Sequence, residues 1–111
     1  MNRDEGLVGE PRGTPTEEQI LDALRQVVDP ELGINIVDLG LIYGVECLDG
    51  RVRVRMTMTS PACPLGAYLT EMVHTTVEYS VPHVRSVEVL LVWEPPWSPE
   101  KMSIEARRQL G

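Results

Sequence analysis

The pattern of apolar and polar residues along the chain begins with an amphipathic helix. From Ile20 to Val28 the apolar residues recur at the spacing of one helix face, and the preceding Thr16-Glu17-Glu18-Gln19 forms a capping box. Asp29-Pro30 predicts where the helix ends, because proline disfavours the α conformation in the residue before it. We therefore expect a first helix over residues 16–28.

A β-hairpin is predicted next. The stretch LIYGVECLDGRVRVRMTMT (residues 41–59) alternates apolar and polar residues around Asp49-Gly50, a dipeptide typical of tight hairpin turns. In its second strand the apolar residues at even positions face away from the arginines and threonines at odd positions. One face should therefore pack into the core, while the other is wet or lines a site.

The rest of the pattern completes an α-β-β-α-β order. Apolar residues predict a second helix over 64–80 and a buried third strand over 84–93, and residues 102–110 carry a short helical pattern. Residues 29–40 are predicted to form a structured loop. This order implies an α/β (α+β) two-layer sandwich, in which both helices cover one face of a small mixed three-stranded sheet and a C-terminal extension follows.

Domain organisation follows from composition. Residues 1–14 are rich in Gly and Pro and lack apolar periodicity, so we expect a flexible N-terminal tail. Residues 15–111 then form a single domain, as their length suggests.

Charge and cysteine content narrow the class of protein. Seventeen acidic residues against ten basic ones give a net charge of −7, which argues against nucleic acid as a partner. No apolar run approaches the about 20 residues of a membrane span, and no signal peptide opens the chain. Two cysteines are too few for a disulfide framework, so a cytoplasmic location is expected.

Cys63 is the candidate reactive residue. It precedes Pro64, which suits the first position of the second helix, so Cys63 is predicted to be the N-cap, where the helix dipole favours a thiolate. A nucleophilic cysteine also needs a base, and His74 lies about three helical turns away. A small buried residue that merely fills the cap is an equally good interpretation. Cys47, on the predicted first strand, is expected to pack in the core.

Three separated stretches of the chain match a known pattern, namely DPELGINIVDLGLIYGV (29–45), MTMTSPACPLG (56–66) and VWEPPWSPEKMSIEARRQLG (92–111). With these motifs the chain resembles, over residues 16–111, the small iron–sulfur cluster assembly family that includes SufT-like and PaaD-like proteins. PaaD-like members carry extra cysteines in a C-terminal extension, and their absence here argues against the phenylacetate-pathway branch. Glu94 also stands where the family commonly has Asp.

The resemblance implies a non-enzymatic accessory factor in iron–sulfur cluster assembly or transfer, which works with scaffold, carrier and client proteins. It also implies a functional cleft, lined by Asp29, Glu31, Thr57, Thr59 and Cys63. One cysteine per chain cannot supply the four ligands that a cluster usually has, so Cys63 is expected to be a transient, shared ligand. A homodimer would bring two such thiols together.

Two alternatives remain open at this point. The first is a thiol-dependent enzyme in which Cys63 attacks a carbonyl or sulfur species. The second is a pure protein-interaction adaptor that docks through Thr57, Thr59 and the region of Trp97.

Overall fold

The structure of the protein, a computed structural model, describes residues 15–60 and 65–110. Its elements in chain order are α1 (Glu17–Leu24), β1 (Val28–Asp29), β2 (Ile34–Asn35), β3 (Ile42–Leu48), β4 (Arg51–Met56), α2 (Gly66–Ser80), β5 (Ser86–Leu91), a 3₁₀ turn (Pro99–Lys101) and α3 (Ile104–Leu110). The predicted tail 1–14 and residue Cys63 lie outside the described residues.

The main sheet has three strands and mixed direction. β4 lies in the centre, antiparallel to β3 and parallel to β5. The connection between the two parallel strands needs a crossover, which α2 provides. The predicted α+β fold with a mixed three-stranded sheet is therefore confirmed.

The core lies between one face of this sheet and the two longer helices. Along β4, Val52, Val54 and Met56 are buried, and the three arginines that alternate with them are exposed. The apolar side chains of α1 and α2 join the same buried cluster, among them Ile20, Leu24, Leu69, Val73 and Val77. Of the helices in the described ranges, none is long and apolar enough to cross a membrane.

The first helix begins as predicted and ends earlier. The Gln19 amide donates to Thr16 Oγ1 at 3.1 Å, and the Thr16 amide donates to Gln19 Oε1 at 2.9 Å, so the capping box is formed. The predicted end at residue 28 is wrong, because α1 stops at Leu24. Val27 belongs to the turn that follows the helix, where its amide donates to the carbonyl of Leu24, three residues back. Its side chain is buried all the same.

The loop over residues 29–40 contains a small sheet that the sequence pattern did not predict. β1 and β2 pair antiparallel, with Val28 opposite Asn35 and Asp29 opposite Ile34. The turn between them is closed by the Gly33 amide, which donates to the Asp29 carbonyl at 2.7 Å.

The C-terminal extension packs back onto the end of this loop. The Trp97 indole donates to the Leu39 carbonyl at 2.7 Å, and the Ser103 amide donates to the Asp38 carbonyl at 2.8 Å. Gly40 has a φ of +80° and lies so close to the Lys101 backbone that a Cβ at position 40 would overlap the Lys101 carbonyl. The extension is thus part of the packed structure.

Candidate functional site

Asp29 and Glu31, the two acidic residues predicted for the site, have different environments. Asp29 is 5% exposed, and its Oδ1 accepts from the amide of Glu31 at 2.8 Å and from that of Leu32 at 3.2 Å. The Asp29 carboxylate therefore holds the turn after β1. Glu31 is exposed, so its carboxylate is available to a partner or an ion.

Thr57 departs from the predicted strand alternation. The alternation puts it with the arginines on the face that is wet or lines a site, but β4 ends at Met56 and Thr57 is completely buried. Its amide donates to the Leu41 carbonyl at 2.8 Å, and its Oγ1 has no hydrogen-bond partner among the described residues. Thr59, two residues further on, is partly exposed.

A chain of backbone hydrogen bonds links the threonine segment to the loop that carries Asp29. The Thr57 amide donates to Leu41, the Leu41 amide donates to Ile36, and the Ile36 amide donates to Val27, just before β1. The segment that carries Thr57 and the loop that carries Asp29 are therefore adjacent.

A cleft of about 270 Å³ lies at the start of α2. Ser60 and Gly66 are part of its lining, and Leu91 and Trp93 form an apolar wall, each 42% exposed. The remaining described lining residues are Met58, Ala67 and Thr70. Among the described residues, the lining includes neither the predicted acidic residues nor the predicted threonines.

The start of α2 corrects the predicted environment of Cys63. The helix begins at Gly66, and Leu65 occupies the N-cap without a side-chain cap. Cys63 is therefore two residues before the cap, and the prediction that it caps the helix with Pro64 at the first position is wrong. Proline is favoured at the first helical position but does not require a helix to start there. The helix begins two residues later, at Gly66.

Cys47 packs as predicted, partly buried against the core. Within residues 15–60 and 65–110 no three His, Cys, Asp or Glu side chains are grouped so that they could hold a metal ion.

A second, larger cavity of about 520 Å³, which the sequence pattern did not predict, lies on the opposite side of segment 91–94 from the cleft. It lies where β3 carries an irregularity between Ile42 and Gly44 and the C-terminal extension crosses it. The Tyr43 hydroxyl donates to the Pro95 carbonyl at 2.6 Å. Burial, with a contribution from the Glu94 carboxylate, raises the pKa of Tyr43 above its usual value.

Comparison with known proteins places the chain in a family. A sequence model described as "Iron-sulfur cluster assembly protein" matches residues 17–91. The chain belongs to this family. A structure of a domain of unknown function from Bacillus anthracis shares the fold with a TM-score of 0.84 and 42% sequence identity, covering 86% of this chain and 91% of that one.

Relatives of similar length carry informative names. The Fe-S protein maturation auxiliary factor YitW of Bacillus subtilis is 46% identical over 86% of this chain and 93% of its own length. The Fe-S protein maturation auxiliary factor SufT of Staphylococcus aureus is 45% identical over 77% of this chain and 97% of its own length. Such names describe an accessory role, in agreement with the prediction of a non-enzymatic factor.

A longer relative has a different organisation. In an iron-sulfur cluster carrier protein of Synechocystis, the matching region is 34% identical and covers 86% of this chain but only 26% of the carrier. The family domain thus also occurs as one part of a larger protein.

Proposed function

We propose that this protein is an accessory factor that assists the assembly of iron–sulfur clusters or their transfer to client proteins, with Cys63 as a transient ligand. The observation that carries the proposal is the match, over nearly the full length of both chains, to relatives named Fe-S protein maturation auxiliary factors. The 270 Å³ cleft at the start of α2 also supports a role with partners, because its apolar wall of Leu91 and Trp93 is exposed.

The ligand count favours transfer over storage. An iron–sulfur cluster usually has four protein ligands, mostly thiolates, and this chain has Cys63 and the core-packed Cys47. A cluster held by one thiolate of this chain would have its other ligands supplied by a second copy or a partner protein. Such a shared cluster is released when the partner leaves, which suits a protein that passes clusters on.

A cluster carrier is the partner that the relatives suggest. In the Synechocystis carrier the family domain is joined covalently to the rest of the carrier. Joining two modules raises the effective concentration of one at the other, a gain that is useful when both act on the same cargo. We infer that this separate chain meets a carrier as a second molecule.

Cluster transfer tests the proposal directly. A carrier loaded with a [4Fe–4S] cluster is mixed anaerobically with an apo client enzyme, and the activity that the client regains is followed with and without this protein. Wild type should accelerate the recovery. Cys63→Ser should lose most of the acceleration, whereas Cys47→Ser, the matched control with the other cysteine, should keep it.

Two results would contradict the proposal at different levels. No acceleration by wild type would refute a role in transfer between these proteins. Acceleration by Cys63→Ser equal to that of wild type would leave an adaptor in which the thiol takes no part.

Direct cluster binding needs a separate measurement. Wild type, Cys63→Ser and Cys47→Ser are incubated anaerobically with iron and sulfide, and visible absorbance is recorded after gel filtration. Colour that depends on Cys63 and elutes at twice the monomer mass would support a cluster shared between two copies. Colourless wild type would refute a cluster held without a partner.

A further inference from the structure

The 520 Å³ cavity lined by Tyr43, Arg55 and Glu94 has the size of a small-ligand site. Two walls are fixed by contacts already described, namely the hydrogen bond from Tyr43 to Pro95 and the close packing of Gly40 against Lys101. Apolar surface from Ile42, Val92 and Pro95 makes up part of the lining. The cavity is therefore preformed by the fold.

Arg55 is the cation most available to a ligand in this cavity. Its neighbour on the same face of β4, Arg53, is engaged by Glu88 at 2.9 Å and by Glu46 at 3.8 Å. No ion pair is found for Arg55 within residues 15–60 and 65–110, although its side chain lines the cavity.

The backbone makes room for this guanidinium. The Arg55 side chain lies directly against Gly44, so that a Cβ at position 44 would overlap it. A second cation, the Lys101 ammonium, lies 5.2 Å from the centre of the Tyr43 ring, within the range of a cation–π contact. Both positive groups thus lie against uncharged neighbours, Arg55 against Gly44 and Lys101 against the Tyr43 ring.

The charges of the lining select the ligand. Arg55 and Lys101 are cationic and Glu94 is anionic, which leaves one net positive charge in a protein whose total is −7. One excess positive charge balances a monoanion better than a dianionic phosphate. The planar guanidinium also matches a carboxylate through two parallel hydrogen bonds.

We propose that this cavity binds a carboxylate group carried on an apolar stem, with Arg55 as its main partner and the apolar lining around the stem. The carboxylate can come from a free organic acid or from the end of a peptide chain, since both present the same group. The inference does not depend on the proposed function, because it involves neither Cys63 nor iron.

Binding is tested by titrating the isotope-labelled protein with small probes and following backbone amide shifts by NMR. N-acetyl-leucine presents a peptide-like carboxylate on an apolar stem, and N-acetyl-leucinamide has the same stem without the charge. We expect the acid to shift the amides around Tyr43, Arg55 and Glu94 and the amide to bind at least tenfold more weakly, because the charged hydrogen bonds are lost. Equal binding of acid and amide would overturn the proposal.

Arginine variants locate the site. Arg55→Gln should weaken the binding of N-acetyl-leucine about tenfold, since it removes a charge-assisted bidentate pair. Arg53→Gln, the matched control on the same strand, should leave the affinity unchanged. A loss in Arg53→Gln as large as that in Arg55→Gln would show a diffuse charge effect and refute the site.

Two further probes separate ligand sources and chemistry. Hexanoate binding as tightly as N-acetyl-leucine would support a site for any apolar acid, and a tenfold preference for N-acetyl-leucine would support a peptide terminus. Inorganic phosphate that binds more tightly than either would refute a monoanion site. None of these results changes the expected outcome of cluster transfer.

Discussion

At the scale of single residues, the buried hydroxyl of Thr57 stands out. A polar group that is buried without a partner costs about 1–3 kcal/mol of stability. The described residues provide no acceptor for this hydroxyl, although the backbone amide of the same residue is bonded to Leu41.

Substitution of Thr57 tests whether its hydroxyl is unpaired in the folded protein. Thr57→Val replaces the hydroxyl by a methyl group of similar size and should raise the free energy of unfolding by about 1 kcal/mol, because the unpaired polar group is removed. Thr59→Val, at a partly exposed position, should change stability by less than about 0.5 kcal/mol. Urea unfolding measures both. A clear destabilisation by Thr57→Val would mean that the hydroxyl is bonded in the folded protein.

Two variants of Asp29 test what its carboxylate contributes. Asp29→Ala removes the acceptor of two backbone amides and should cost about 1–2 kcal/mol, as the loss of a cap does. Asp29→Asn keeps an oxygen for the same amides and should cost clearly less. Thermal unfolding gives the order of the variants. If Asp29→Asn also keeps full cluster-transfer activity, the carboxylate does no more than shape the turn.

At the scale of elements, the Asp49-Gly50 turn joins β3 and β4 with positive φ at both residues, 53° and 80°. The Gly50 carbonyl also accepts from the Arg85 amide at 2.7 Å, and the space beside its Cα is filled by Arg85 and by the His83 carbonyl. The turn thus also fixes the loop that leads into β5.

This packing predicts unequal costs for two glycine substitutions. Gly33→Ala places a Cβ at a φ of +72° in open space and should cost about 1 kcal/mol from backbone strain alone. Gly50→Ala adds a steric conflict with Arg85 and His83 and should cost about 2–3 kcal/mol. Urea midpoints of the two variants test the difference. Equal costs would show that the turn relaxes without loss.

Local signals explain which elements the sequence could predict. The capping box, the Asp-Gly turn and the periodicity of α2 act between residues a few positions apart, and all three form as expected. The irregularity in β3 was not predicted: strict alternation would put Tyr43 on the same face as Cys47, whereas the Tyr43 hydroxyl donates to the Pro95 carbonyl. The contact joins residues 52 positions apart, which the alternation of neighbouring residues cannot show.

At the scale of the whole molecule, the C-terminal extension packs against the core and against the end of the loop at residues 38–40. It lies beyond residues 17–91, the part that the family sequence model matches, yet Trp97, Met102 and Ala106 pack against the core. It also contributes Val92, Glu94, Pro95 and Lys101 to the lining of the carboxylate site that we propose. The cavity could not be predicted from sequence, because its walls come from three separated segments that only the folded chain unites.

Gly40→Ala tests this packing. The added methyl group would overlap the Lys101 carbonyl, and the positive φ adds strain, so the extension should loosen where it meets residues 38–40. Hydrogen exchange should accelerate at the amides of 101–107, including the Ser103 amide that donates to Asp38. Gly33→Ala, with the same backbone strain but open space, is the control. Unchanged exchange in Gly40→Ala would show that the close contact is dispensable.

The side chains of residues 91–94 line the two cavities alternately. Leu91 and Trp93 line the cleft at the start of α2, whereas Val92 and Glu94 line the larger cavity. Because successive side chains of an extended segment point to opposite sides, inserting one residue before position 91 would deliver every side chain to the wrong side. One insertion would therefore alter the linings of both cavities at once. We expect related chains to keep the length of this stretch, whereas a point substitution here would change one cavity and leave the other intact.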